Sequence, residues 1–280
     1  MAHFLIVDGS NLLFQMFYGM PSRIVNAQGR PIQGTLGFVG ALLKILRLTT
    51  PSHVAVVFDG EHPNPRTQLD PEYKATRADL SQLPEVDTPF FQLPDVYAAL
   101  DRLGLCHRET DVCEADDWIA GYALALAEGQ KLTIVSQDSD FFQLISPRVQ
   151  VLRYRGDNTR LCTEDYIREK FGVEPGQYAD WKALVGDSAD NIRGADKIGP
   201  KTAAALLGQF GSLEGILAHV DQVKRPSVRA SLESSRQRLE VNRQLITLTP
   251  WDSLPFSPEE MAYTPTDLTT TQVLRDIGLK

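Results

Sequence analysis

Short apolar runs that stop at a charged or small residue punctuate the first half of this chain. His3–Asp8, His53–Phe58, Leu105–Glu109, Lys131–Ser136 and Val149–Tyr154 are each too brief for a stable helix, and they predict buried strands. Between them, apolar positions recur at helical spacing over Gly34–Leu48, Leu93–Leu103 and Ala115–Glu128. Strands alternating with helices predict an α/β domain with a mainly parallel central sheet flanked by helices. The pattern breaks from Gly60 to Pro94, where six prolines and no sustained period predict a long excursion from the sheet. Beyond Thr163 the periodicity is helical throughout, over Thr163–Phe171, Pro175–Leu184, Lys201–Gly208, Ser212–His219 and Pro226–Leu245. The expected division is an α/β domain over 1–180 with an insertion at about 60–94, a helical region over 181–245, and an extension over 246–280 that packs on the first domain.

Composition narrows the class. With 280 residues, 42% hydrophobic and 23% charged, the chain can build a core without disulfides or structural metal, which excludes disordered and fibrous classes. No apolar run reaches the roughly 18 residues of a membrane span, and the opening MAHFLIVDGSN has no basic leader, so a soluble, cytoplasmic protein with no membrane partner is expected. Cys106, Cys113 and Cys162 form no CxxC pair and predict neither a disulfide framework nor a zinc site.

The net charge of −8 speaks against a uniformly basic nucleic-acid binder, but the acids are not evenly spread. Asp8 and Asp59 end predicted strands, Glu114, Asp116 and Asp117 open a helix, Asp138 and Asp140 follow another strand, and Asp187 and Asp190 lie farther on. If extended, Asp138 and Asp140 point one way; at i, i+3 spacing, Glu114 with Asp117 and Asp187 with Asp190 share a face. Ligands of parallel sheets gather where strands end, so nine acids can meet on one rim. Two unit charges about 4 Å apart repel by about 1 kcal/mol in water and about 4 at an effective dielectric near 20, so such a rim demands cations. Oxygen-only ligands favour two divalent ions, Mg²⁺ or Mn²⁺, over zinc, and paired ions suit in-line hydrolysis of a phosphodiester. Singly, each acid also reads as a turn former or a helix-start residue that complements the dipole.

With those residues in view, IVDGSN, GRPIQGTLGF, FDG with Arg66 and EYKATR, EADDWIAGYA, SQDSDFFQL and ALVGDSADNIRGADKIGPKTA resemble, in order and spacing, the structure-specific 5′ nucleases. This is the flap endonuclease and 5′-3′ exonuclease family, which includes the amino-terminal domain of bacterial DNA polymerase I; here it would stand alone, with no polymerase fused. The resemblance implies the fold of that family, of the PIN-like kind, with an arch over the active site at about 60–94 and a helix-hairpin-helix DNA-binding region. It implies that Asp8, Asp59, Glu114, Asp116, Asp117, Asp138, Asp140, Asp187 and Asp190 bind two divalent cations. Catalytic roles fall on Asp8, Asp59, Asp116 and Asp138 with the cations Lys74 and Arg77, which neutralise the scissile phosphate. Arg66 matches a further phosphate contact.

Phe14 matches an aromatic that stacks on a base, although Phe14, Phe17 and Tyr18 equally form an apolar helix stripe. Gly194 and Gly199 have phosphate-loop spacing, but Pro200 stands where the lysine belongs and no strand precedes them. The segment resembles the helix-hairpin-helix instead, which places Arg193, Lys197, Gly199, Lys201 and Thr202 on duplex phosphates, with K⁺ in the hairpin. The implied partners are DNA with a 5′ flap or 5′ end and RNA/DNA hybrids, and the chain is expected to be a monomer. Two features depart from the family: the arch carries Asp79, Glu85 and Asp87 rather than basic residues, and Ser139 stands where many relatives have lysine. The competing readings are a branched-DNA-binding protein that turns over weakly and a small-molecule phosphohydrolase, against which the absence of a DxDxT motif counts.

Overall fold

The computed structural model describes residues 2–20, 22–61, 65–77 and 79–280, the side chain of Pro65 excepted. Thus residues 62–64 and 78 of the expected arch lie outside the described residues. In chain order the elements are β1 (His3–Asp8), α1 (Gly9–Gly19), α2 (Gln33–Thr49), β2 (His53–Phe58), α3 (Pro65–Leu69), α4 (Leu93–Arg102), β3 (Cys106–Glu109), α5 (Ala115–Ala125), β4 (Lys131–Val135), β5 (Val149–Arg153) and β6 (Arg160–Cys162). They continue as α6 (Glu164–Phe171), α7 (Tyr178–Val185), β7 (Gly186–Asp187), β8 (Ile192–Arg193), α8 (Pro200–Phe210), α9 (Leu213–Ala218), α10 (Pro226–Ile246) and α11 (Thr270–Asp276).

Six strands form one sheet in the order β3-β2-β1-β4-β5-β6, parallel except for β6. The order reverses at β1, so the crevice between the ends of β1 and β4 is where such a sheet receives a ligand. Side chains alternate between the two faces. Leu5, Val7, Val54 and Val56 pack under α1, α2 and α4, whereas Phe4, Ile6, Ala55 and Val57 meet α5 on the other side. Burial on both faces explains the near-continuous apolar strands.

The five expected strands are present to within a residue at their ends, and β6 adds a three-residue antiparallel edge too short to show a period. The helical region shares its core with the sheet: Leu184, Leu207, Leu232 and Leu239 belong to the same buried cluster as Ile6 and Ile134. The segment after α10 returns to the sheet. Val54 N–H donates to the Met261 carbonyl at 2.8 Å, and α11, which the sequence reading lacked, buries Val273 and Leu274 near α2. The excursion after β2 is more anchored than its prolines suggest, since Arg66, Tyr73, Thr88 and Gln92 are buried. Its base is tied to the β7–β8 hairpin, where Lys74 N–H donates to the Asp190 carbonyl at 3.0 Å and Asn191 Nδ2 to the Glu72 carbonyl at 2.8 Å.

The turn that carries Asp59 is set by close backbone approach. An added Cβ at Gly60 would lie 1.9 Å from the Thr110 carbonyl oxygen, and Gly60 N–H donates to Thr110 Oγ1 at 3.0 Å. Gly60→Ala is expected to cost about 1–3 kcal/mol by overpacking against backbone. Thermal melting checks this at about 2–4 °C per kcal/mol; an unchanged midpoint would mean that the turn can relax.

Candidate metal and nucleic-acid site

Local backbone chemistry builds the site at the ends of β1, β2 and β4. Asp8 ends β1 and caps α1, accepting from Asn11 N–H at 3.0 Å. Its other oxygen accepts from Ser136 Oγ at 2.8 Å, and Ser136 Oγ in turn accepts from Asp138 N–H at 3.0 Å. Asp138 then accepts from Asp140 N–H at 2.8 Å. The Asp138–Asp140 segment is therefore a turn entering a short 3₁₀ helix, with Ser139 in the right-handed helical region, and not the extended run expected. Asp59 accepts from Ala115 N–H at 2.9 Å, which fixes the start of α5 against the end of β2. Asp187 and Asp190 do not share a helical face either: they lie on and beside the tight β7–β8 hairpin.

The nine acids divide into two groups. Glu114, Asp117, Asp140, Asp187 and Asp190 each hold a basic side chain. Lys74 Nζ reaches Glu114 at 2.6 Å, Arg66 pairs with Glu114 and with Asp117 at 2.8 Å, Lys182 pairs with Asp140 and Asp187, and Arg77 meets Asp190 at 2.7 Å. Asp8, Asp59, Asp116 and Asp138 have no ion pair among the described residues. Burial and then the charge of Asp59 push the Asp8 carboxyl up to about 7. Burial, then Asp138, Asp8 and Asp59, push Asp116 well above the ordinary carboxylate range. Burial followed by Asp138 raises Asp140 to about 7 in spite of Lys182. In the opposite sense, burial disfavours the Glu114 anion, yet Lys74 and Arg66 hold its pKa below the usual value.

These oxygen donors fit a hard divalent cation. Among the described residues no trio of His, Cys, Asp or Glu is gathered into a preformed metal cage. The fit rests on the four unpaired carboxylates, whose mutual repulsion a cation would relieve.

Lys182 is a site residue that sequence reasoning missed. It sits on an apolar helix, and nothing local signals that tertiary packing sets its amine, 5% exposed, between Asp140 and Asp187. Burial alone would lower its pKa, but Asp140, Asp138 and Asp187 raise it, so it stays charged. Ser136 was likewise passed over, although its hydroxyl links Asp8 to Asp138. Arg66, expected at a phosphate, is turned inward and 8% exposed. Arg77 remains half-exposed beside Asp190, and Lys74 lies over the Tyr73 ring at 4.8 Å. Phe14 is half-buried with its ring edge-on to Phe90 at 5.5 Å and Tyr18 at 6.1 Å, and the latter two are exposed. Around the hairpin Lys197, Gly199 and Lys201 are exposed, Thr202 is half-buried, and Arg193 pairs with Asp196 at 2.9 Å. The three cysteines are free, and no helix among the described residues is long and apolar enough to cross a membrane.

The raised acids make metal-free stability depend on pH. Between the ordinary value of 3.8 and about 7, folded Asp8 and Asp140 hold protons that the unfolded chain has released, so their stabilisation is complete below about 4 and is lost as the pH rises through 7. Burial lowers His3 and His107 below their ordinary 6.5, which costs stability only on the acid side. In chelator, the melting temperature should therefore fall from pH 6.5 to 8, and Mg²⁺ should flatten that slope. A flat profile without metal would contradict the crowded-carboxylate picture.

Comparison with known proteins agrees with this architecture. Residues 3–172 match the family described as 5′-3′ exonuclease, N-terminal resolvase-like domain, and residues 173–269 match the 5′-3′ exonuclease, C-terminal SAM fold. A thermostable DNA polymerase I of Thermus thermophilus is 39% identical over 244 residues, covering 85% of this chain and 28% of that protein. DNA polymerase I of Streptococcus pneumoniae is 33% identical over 270 residues, covering 94% and 30%. The chain thus spans under a third of the length of these polymerases. Among solved structures, the T5 5′-exonuclease with divalent metal ions (zinc) bound superposes with a TM-score of 0.70 at 23% identity, covering 88% of this chain and 90% of that one. The catalytic core of Rad2 in complex with DNA substrate superposes with a TM-score of 0.62 at 16% identity, covering 99% and 87%, which extends the likeness of fold. With both its sheet-bearing and its helical parts matched, the chain belongs to the 5′-3′ exonuclease family.

Proposed function

We propose that this protein is a divalent-metal-dependent 5′ nuclease that hydrolyses phosphodiester bonds in DNA bearing a 5′ flap, branch or 5′ end. The observation that carries the reading is the set of Asp8, Asp59, Asp116 and Asp138, crowded at the ends of β1, β2 and β4 and the start of α5 and without an ion pair among the described residues, with Lys74 and Arg77 at the neighbouring base of the excursion. Two Mg²⁺ or Mn²⁺ ions held there would supply an activated water and stabilise the leaving oxygen. The four acids would hold such ions, and Asp140, Asp187, Asp190 and Glu114, now paired with Lys182, Arg77 and Lys74, could add further oxygen donors. The lysine and arginine at 74 and 77 are placed to neutralise the scissile phosphate as charge develops on it.

Exposed Lys197 and Lys201, with the backbone of Gly199, Thr202 and Arg193 beside them, form the surface for duplex phosphates, and the hairpin would hold a K⁺ that adds positive charge beside the same strand. Gripping the duplex there positions a 5′ strand at the acids, so cleavage is selective for structure and not for sequence. RNA/DNA hybrids fit the same geometry, and the role proposed is replication and repair, including primer removal, by a cytoplasmic monomer. A metal-bound T5 relative and a DNA-bound Rad2 core are in keeping with this reading.

A labelled 5′ flap, a blunt duplex and a circular single strand incubated with Mg²⁺ test it. Flap cleavage near the junction with the circle spared is expected, and Asp138→Ala should abolish cleavage while leaving flap affinity nearly intact. Flap binding without cleavage in Mg²⁺ or Mn²⁺ would instead favour the weakly catalytic branched-DNA binder. Lys74→Ala should lower kcat by about 10²-fold, in the range of a lost electrostatic donor, with a smaller effect on binding. Equal losses in kcat and affinity would reduce Lys74 to simple attraction.

A further inference from the structure

Asp117 follows Asp116 directly in the first turn of α5, and consecutive helical residues are turned about 100° apart. The two carboxylates accordingly meet different neighbours. Asp116 faces Asp138, Asp8 and Asp59, and among the described residues it accepts no hydrogen bond. Asp117 faces away from them. Its Oδ1 accepts from Arg66 Nη2 at 2.8 Å and from Thr249 N–H at 3.0 Å, and its Oδ2 accepts from Arg66 Nη1 at 3.2 Å. Both lone-pair directions of Oδ1 are thereby taken, and a guanidinium fork on a carboxylate is among the strongest pairings available to side chains.

The same residues hold the chain that leaves α10. Asp117's own carbonyl accepts from Trp251 N–H at 3.1 Å, and Arg66 Nη2 donates to the Thr247 carbonyl at 3.3 Å while its Nη1 grips Glu114. One turn along α5, Gly121 lets this segment lie so close that an added Cβ would stand 2.4 Å from the Trp251 carbonyl oxygen. Residues 247–251 therefore run across the start of α5 and are fastened there by Asp117 and Arg66.

We propose that Asp117 is a positioning residue and not a metal ligand. Together with Arg66 it clamps residues 247–251 to the first turn of α5 and so fixes the direction in which Asp116 and Glu114 point toward the metal site. The proposal rests on the nuclease reading only for what Asp116 then does, because the clamp can be tested without DNA.

The test is calorimetric titration of the whole chain with Mn²⁺, on the wild type and on Asp116→Asn, Asp117→Asn and Arg66→Gln. Asp117→Asn should keep the wild-type number of ions with affinity reduced by about 10–100-fold, as for a residue that supports a ligand, whereas Asp116→Asn should lose an ion. Arg66→Gln decides the sign independently. If Asp117 is a clamp, losing Arg66 loosens Mn²⁺ binding; if it is a ligand, freeing its oxygens tightens it. In flap cleavage, Asp117→Asn should lower kcat about tenfold at unchanged KM, the mark of a misaimed reacting group rather than lost substrate contact. Loss of an ion in Asp117→Asn, tighter Mn²⁺ in Arg66→Gln, or an unchanged kcat in Asp117→Asn would each overturn the assignment. A wild type that binds Mn²⁺ but cuts no DNA would defeat the nuclease reading and leave the clamp to be judged by the titrations alone.

Discussion

Mutual repulsion among carboxylates at the ends of three parallel strands is the constraint around which the molecule is organised. The sheet order brings the ends of β1, β2 and β4 side by side, and each of these strands leads into an aspartate. The fold stabilises this arrangement indirectly. Hydrogen bonds from Ser136, Asn11, Ala115 and Asp140 hold three of the carboxylates at fixed positions, and Asp8 among them is buried. A group of anions held in place by its scaffold has little reason to persist except to receive positive charge.

Around that centre the protein supplies its own counter-ions. Lys182 comes from α7, Lys74 and Arg77 from the base of the excursion, and Arg66 from α3, so the acid rim is linked to the helical region and to the arch-like segment at once. Buried pairs of this type gain little net stability, because desolvation offsets their attraction. Their value lies in exchange: a cation or phosphate entering the rim must compete with a lysine or arginine already there. Metal uptake, seating of the excursion and packing of α7 would for that reason be coupled through the same few contacts.

Much of this was legible in the sequence. Short apolar runs located the five longer strands and period-3.6 patterns most helices, and the position of Asp8, Asp59 and Asp138 at or just after strand ends pointed to one rim. The strand β6 escaped because three residues carry no period, and α11 because Thr270–Asp276 follows a polar, threonine-rich stretch. Side-chain directions were less accessible. Asp138 and Asp140 are joined by a turn that their spacing did not reveal, and consecutive Asp116 and Asp117, about 100° apart on one helix, meet different neighbours. Partners such as Lys182, whose role depends on a contact 42 residues away in sequence, arise only from tertiary packing. Arg66 shows the same limit from the other side, since the family resemblance implied a phosphate contact whereas the folded chain buries it against Asp117 and Glu114.

Anomalous diffraction from crystals soaked in Mn²⁺ would address the central claim most directly. The account predicts a strong peak enclosed by Asp8, Asp59, Asp116 and Asp138, and a second toward Asp140, Asp187 and Asp190 with Lys182 displaced from its carboxylates. Crystals that take up manganese elsewhere, or leave the four carboxylates without a peak at saturating concentration, would contradict it.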